Sequence, residues 1–496
     1  MPETTCILDG RSLTIEAVVR AARDPRVRVV VDPEAREALR RIRQLVEAAI
    51  ASGQTIYGIN TGFGKLANVR VAPDKLDQLQ ANLIRSHSAG VGEPFPAVLV
   101  RAVMLLRANV LLRGTSGVRA VVPELIVGML NAQLHPRVPS QGSVGASGDL
   151  TPLAHLALAM IGEGEDGPTL LAKRLQPITL EAKEGLAFVN GTQAQTGLAA
   201  LLVHDAWVLW RTAHAAAAMS LEAVRGTPVP FDQRIHDARP HAQQQRSAAL
   251  LRALLADSEI RESHRENDSR VQDAYSLRCT PQVLGAVGEG LAFAERLVTT
   301  ELNAATDNPL VIDGEILSGG NFHGQPIALA LDVIGIVLAT LAGLAERRLE
   351  RIVNPDLSSG LPAFLAHDPG IESGFMTPQI AAAALVAECR VLATPASVQS
   401  IPTEGNQEDV VPMGMTAAWK AGRILANAAR IVAIELLAGA QGLEFLRPLK
   451  PGRGVARTLA AVRRLVPPLA SDRPLSGDIE RIAEGVGAAT FDPEAA

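Results

Sequence analysis

Apolar residues recur at helical spacing over very long stretches of this chain, which restricts it to architectures built from long helices. The spacing predicts helices over 33–52, 95–112, 118–134, 196–225, 283–303, 326–351, 378–392 and 416–443. At about 1.5 Å per residue, a helix of about 25 residues is nearly 40 Å long. The first of them, PEAREALRRIRQLVEAAIAS, places acids early and bases later, as the helix dipole prefers. Runs of β-branched residues are few, and aromatic residues make up only 3% of the sequence, with two tyrosines in all. A core of Ala, Leu, Val and Ile suits close helix packing. The expected class is therefore all-α, a long-helix bundle.

With 496 residues, 47% of them hydrophobic, the chain can bury a large core. A soft boundary near residue 195 separates a loop-rich N-terminal part (1–195) from a long-helix part (196–496). The 47 basic and 52 acidic side chains leave a formal charge of −5, spread along the chain. That pattern offers no phosphate-neutralising patch and no polybasic anchor, so neither nucleic acid nor a membrane is an expected partner. The most apolar stretch, 326–345, contains Asp332 and Thr340 and runs into Glu346-Arg347-Arg348, which reads as a buried helix and not a membrane span. MPETTCILDG carries no apolar leader segment, and Cys6, Cys279 and Cys389 lie far apart with no CxxC pair. A cytoplasmic protein without disulfides or a thiolate zinc site is expected. His236 and His241 stand at i, i+5, off the usual helical ligand spacing, so no metal is expected.

Gly and Pro cluster in loops at 57–64, 137–148, 318–326, 357–369 and 401–414. Irregular loops rich in Asn, Gln, Tyr and Glu are where a helical protein keeps its chemistry. The sharpest of them is Gln141-Gly142-Ser143-Val144-Gly145-Ala146-Ser147-Gly148-Asp149-Leu150-Thr151-Pro152-Leu153. Gly145 and Gly148 permit backbone angles closed to other residues. Thr151 followed by Pro152 predicts an N-cap with proline at the first helical position, so the positive end of that helix sits just after Ala146-Ser147-Gly148. A compressed Ala-Ser-Gly turn can react further. The Gly148 nitrogen can attack the Ala146 carbonyl, and loss of two waters leaves a five-membered ring with an exocyclic methylene from Ser147. A plainer reading of the same residues is a glycine-rich loop that caps a helix and holds an anion. No GK[ST] follows, so a nucleotide is not expected.

GSVGASGDLTPLAHLA resembles the signature of the aromatic amino acid lyases, which build a methylideneimidazolone (MIO) group from their own Ala-Ser-Gly. That family holds the histidine, phenylalanine and tyrosine ammonia-lyases and the related 2,3-aminomutases. The similarity extends in order through IYGINTGFG (56–64), NLIRSHSAGVGEP (82–94), NGTQA (190–194), VQDAYSLRCTPQV (271–283), ELNAATDNPL (301–310), GGNFHG (319–324) and GNQEDVV (405–411). The resemblance implies a carbon–nitrogen lyase with MIO formed from Ala146, Ser147 and Gly148. It also implies a homotetramer with shared active sites, each drawing on three chains. The apolar segments 196–225 and 326–345 fit subunit interfaces, as they fit an internal core.

The chain's only tyrosines, Tyr57 and Tyr275, both fall inside these motifs. By resemblance Tyr57, in a glycine-rich loop, is the general base near the substrate β-carbon, which asks its phenol pKa to fall. Tyr275 is similar to the family tyrosine beside the electrophile. Arg278 and Gln272, three residues to either side of Tyr275, are implied as substrate-binding residues, with the Arg278 guanidinium offering a fork for the α-carboxylate. Asn190 resembles the asparagine that bonds the MIO carbonyl oxygen, and Phe322 the aromatic wall of the ring. Asp149 is implied in cyclisation, although helix capping would also explain it.

His87, after Ser86, resembles the residue that contacts the substrate side chain, as does Glu408 in Asn406-Gln407-Glu408-Asp409. Histidine-specific members carry glutamate at the latter place, where tyrosine and phenylalanine members generally have glutamine. A carboxylate pairs with an imidazole N–H or an imidazolium and gains less from phenyl or phenol. AERRLERIVNP (345–355) and QGLEFLRPLK (441–450) lean the same way. Gln325-Pro326, Gln399 and Val410-Val411-Pro412-Met413 depart from the histidine pattern, Gln325-Pro326 toward tyrosine-type members. The implied reaction is L-histidine to trans-urocanate and ammonia. A tyrosine ammonia-lyase or tyrosine 2,3-aminomutase is the alternative, and a helical scaffold that has lost the chemistry is a third reading.

Overall fold

The computed structural model describes residues 5–494 apart from 54, 267 and 269. Long helices dominate, as the periodicity requires, and their observed bounds differ from the expected ones by a few residues. The helices used below are α1 (Leu76–His87), α2 (Ala97–Leu112), α3 (Leu150–Met160), α4 (Glu184–Val189), α5 (Gln193–Ala223), α6 (Thr280–Glu301), α7 (Gln325–Val353) and α8 (Gly414–Glu444). The described strands are short and pair in twos. Thr5–Leu8 runs parallel to Arg28–Val31, with Val91–Pro94 against Pro139–Gln141 and Leu310–Ile312 against Glu315–Leu317 antiparallel. Ladders of three or four residues fasten loops and build no layer.

The chain divides into two compact units. One holds the residues up to His204 with Ala294–Asp332 and Pro395–Trp419, and the other holds Asp205–Phe293, Val333–Thr394 and the residues from Lys420 onward.

In the first unit, α2 is buried on nearly every side from Leu99 to Leu112, including Arg101, Arg107 and Asn109. The polar members are satisfied locally. Asn109 accepts from the Gly10 N–H at 2.9 Å and donates to the Leu302 carbonyl at 3.1 Å. Lys183 and Asp307 form an ion pair of 2.7 Å with both side chains fully buried. α4 and α1 pack beside α3, which fixes the segment that follows α4 against the segment that precedes α3.

In the second unit three long helices share one buried polar knot. Glu435 of α8 takes the Arg348 guanidinium of α7 on both oxygens, at 2.5 and 2.9 Å, and the Ser220 hydroxyl of α5 at 2.6 Å. Removing one partner of such a pair costs about 3–5 kcal/mol, because the other charge is left buried alone. Trp210 is fully buried, donates from Nε1 to the Leu284 carbonyl at 2.6 Å and lies edge-on to His214.

Among the described residues two helices, α7 and α8, are long and apolar enough to cross a membrane, and more than half of the most apolar window of each is buried inside the fold. For α7, burial of Leu331, Ile334, Leu338 and Leu341 is the reason its sequence is so apolar.

Candidate active site

Four of the Gly- and Pro-rich loops line one cavity of about 650 Å³ in the first unit, shaped by Tyr57, Phe63 and Gly64, by Ala146 and Ser147, by Ser318, Gly319, Phe322 and His323, and by Glu404 with Gln407–Val410. The 357–369 loop takes no part.

At its floor the 145–148 segment folds back on itself. Gly145 and Gly148 bridge across Ala146-Ser147, with φ of +76° and +75°. A Cβ on Gly148 would stand 2.3 Å from the Gly191 carbonyl oxygen, so only glycine fits that approach. The Asp149 N–H donates to that same oxygen at 2.7 Å, and Asn190 Nδ2 donates to the Ser147 carbonyl at 2.7 Å. Asn190 Oδ1 is buried and has no partner among the described residues.

The helix after the turn begins at Leu150, with Asp149 at the cap position, and not at Thr151-Pro152 as the sequence predicted. Asp149 does not cap its own helix either. Its Oδ2 accepts from the Gln195 N–H of α5 at 2.8 Å and its Oδ1 from the Ser143 hydroxyl at 3.1 Å. Burial pushes its pKa up to about 7, against the lowering effect of those bonds. The Gly324 N–H, just before α7, donates to the Gly145 carbonyl at 3.0 Å, and the Met413 N–H, just before α8, donates to Val144 at 2.9 Å. The starts of α3, α5, α7 and α8 thus gather at one short turn. Their aligned peptide dipoles favour negative charge there.

His87 ends α1. Its Nδ1 lies 2.9 Å from the Leu83 carbonyl, an oxygen that can only accept, and 3.0 Å from the Ser86 hydroxyl, so the Leu83 contact favours the tautomer with the proton on Nδ1. Burial holds its pKa below the usual imidazole value. Glu408 accepts from the Thr403 hydroxyl at 2.5 Å through Oε2, while its buried Oε1 has no partner among the described residues. Tyr57 Oη accepts from the Gly64 N–H at 3.3 Å. Its pKa is raised, first by burial and then by the charges of Glu404 and Glu408. The downward shift asked of a base is therefore reversed within one chain.

Three expected site residues lie elsewhere. Tyr275 is on the second unit, 72% exposed, with the Arg278 guanidinium 5.1 Å over its ring. Arg278 also donates to Gln272 Oε1, and these two line a different cavity, of about 530 Å³. None of the three is among the residues that line the cavity that holds Ala146 and Ser147.

The sequence also passed over two groups. Glu404 contributes a second carboxylate to the cavity, against Gly64, and its only signal was an acid four residues before Glu408. Arg107 is fully buried, bonds the Asn190 carbonyl and was detectable as one of two arginines within an apolar helix. Among the described residues no group of three or more His, Cys, Asp or Glu could hold a metal ion.

The profile of the family described as aromatic amino acid lyase matches residues 13–464. A histidine ammonia-lyase from Koribacter versatilis is 49% identical over 494 residues, covering 95% of each chain. Among solved structures, a histidine ammonia-lyase from Trypanosoma cruzi is 42% identical with a TM-score of 0.91, over 99% of this chain and 95% of that one. A tyrosine aminomutase from Streptomyces globisporus is 41% identical with a TM-score of 0.94, over 98% of both chains.

Proposed function

The chain belongs to the aromatic amino acid lyase family, and on that premise we propose that it removes ammonia from L-histidine to give trans-urocanate, using an MIO group made from Ala146, Ser147 and Gly148. The observation that carries the substrate choice is the unpartnered Oε1 of Glu408. His87 lines the same cavity and, in the tautomer that its Leu83 contact favours, offers Nε2 as a second acceptor. An imidazolium offers two N–H donors to two acceptors, whereas a phenol offers one and would leave a buried acceptor unpaired.

The residues around the tripeptide fit the ring. The bridge between Gly145 and Gly148 compresses the turn, and the bare Cα of Gly148 allows the contact with Gly191. Asn190 Nδ2 already holds the Ser147 carbonyl, the one that would become the ring's own carbonyl. When formed, the group supplies an electrophilic methylene that converts the substrate amine into a better leaving group.

The chain's own groups do the rest. Asn190 and the helix starts stabilise negative charge on the Ser147 oxygen. Tyr57 Oη receives the β-proton, and its raised pKa makes it a strong base once ionised. Glu408 and His87 hold the imidazole. The loop that carries Tyr57 borders the cavity through Tyr57, Phe63 and Gly64. We read Tyr275, Gln272 and Arg278 as supplied to this cavity by another copy in a homotetramer. Arg278 with Gln272 would then grip the substrate carboxylate.

A tyrosine lyase or aminomutase is the second reading. It is favoured by Gln325, whose amide reaches the Ser397 carbonyl at 3.3 Å in a place where the histidine pattern departs. Assay of the purified protein with each amino acid tests the proposal. Urocanate from L-histidine supports it, and coumarate or β-tyrosine without urocanate overturns it.

A further inference from the structure

Arg107 stands out among the buried groups that the mechanism leaves unused. It lies on the second half of α2 with no solvent exposure, and it forms no ion pair among the described residues. The carboxylate that acts on it, Asp307, is committed to Lys183 at 2.7 Å. A guanidinium buried without a counter-charge is costly, and burial lowers its pKa to about 10.

Its terminal nitrogens both donate to one short stretch of chain, while Nε has no partner among the described residues. Nη1 donates to the Asn190 carbonyl at 3.2 Å and to Gln193 Oε1, and Nη2 donates to the Ala187 carbonyl. That stretch is the wall on which the tripeptide leans. Gly148 pairs with Gly191, the Asp149 N–H bonds the Gly191 carbonyl, and Asn190 Nδ2 bonds Ser147. A Cβ on Gly191 would come within 2.4 Å of Arg107 Nη1, so the guanidinium is packed directly behind that residue. Arg107 and the tripeptide both hold the 190–191 segment.

We propose that Arg107 is the positioning residue for ring formation, holding Asn190 and Gly191 so that Gly148 is pressed toward Ala146. This rests on the MIO reading above. In that step a bond forms between the Gly148 nitrogen and the Ala146 carbonyl carbon. The Ala146 oxygen leaves as water with the two amide protons of Ser147 and Gly148. The Ser147 hydroxyl leaves as a second water with the Ser147 α-proton, and nothing is oxidised or reduced. The fork of Arg107 matters more than its charge, because it spans two carbonyls at once.

The test is the mass of the tryptic peptide covering 138–173 in wild type, Arg107→Lys and Arg107→Met, alongside thermal unfolding of each. Wild type should show a deficit of two waters. In folded Arg107→Met the share of peptide carrying it should fall by roughly tenfold or more, with Arg107→Lys between the two. A residue with a merely structural part would lower the melting temperature and leave the deficit complete in the folded fraction, which overturns the proposal. Should Arg107→Met not fold, the time course of the deficit in Arg107→Lys decides, and a wild-type rate overturns it. A wild type without the deficit overturns the MIO reading itself, and this inference with it.

Discussion

Asn190 Nδ2 donates to the carbonyl oxygen of Ser147 across 2.7 Å, from a side chain whose own buried oxygen has no partner among the described residues. A buried amide with one unmet acceptor is held in place by its single good bond. That bond lies where negative charge gathers in the proposed reaction.

Replacing Asn190 with alanine should therefore act on the chemical step. The expected loss is about 10²–10³-fold in kcat with a much smaller change in KM, as for other donors aimed at a developing oxyanion. Steady-state kinetics with L-histidine check this, and a wild-type kcat would contradict it.

Glu408→Gln should act on substrate choice. It exchanges a buried, unpartnered carboxylate oxygen for a neutral amide and removes the attraction for an imidazolium. A charge-assisted bond of about 1.5–3 kcal/mol corresponds to roughly a ten- to hundredfold loss in kcat/KM for L-histidine. L-Tyrosine should lose far less. Equal losses for both substrates would refute the assignment.

The pH profile should report Tyr57. Its phenol sits above the usual value because of burial, with Glu404 and Glu408 adding to the shift. The base form thus grows as pH rises, and kcat/KM should climb along an acid limb. Glu404→Gln removes one negative neighbour, lowers the phenol pKa and moves that limb to lower pH. A limb that stays put, or moves upward, would exclude Glu404 as a neighbour of the base.

Asp149 should make stability depend on pH. Its folded pKa of about 7 lies above the 3.8 of a free carboxyl. Between those values the folded chain keeps a proton that the unfolded chain has released. Stability therefore falls as pH rises from about 4 to 7 and levels off beyond. Glu222, also raised to about 7, behaves likewise. Asp149→Asn should shrink the difference in denaturant midpoint between pH 5 and pH 8 without abolishing it. An unchanged difference would show that Asp149 stays ionised when buried.

The helices were legible because burial of apolar faces leaves a period in the sequence. α7 was expected over 326–351 and spans Gln325–Val353, and α6 was expected over 283–303 and spans Thr280–Glu301. The Ala-Ser-Gly turn was legible for a different reason. Its chemistry needs three adjacent small residues, and adjacency is the one spatial relation that a sequence states directly.

Other relations span long separations. Asp149 looked like a helix cap, yet its carboxylate serves the Gln195 N–H of another helix, 46 residues on. Arg107 precedes Asn190 by 83 residues, and nothing in LLRANVLL says which carbonyls its donors will meet. Tyr275 and Tyr57 share a family pattern and yet fall in different compact units. Local chemistry and periodicity were set by covalent order alone. Which buried donor meets which acceptor was decided only by packing, since a hydrogen bond depends on distance and angle and has no period to leave behind.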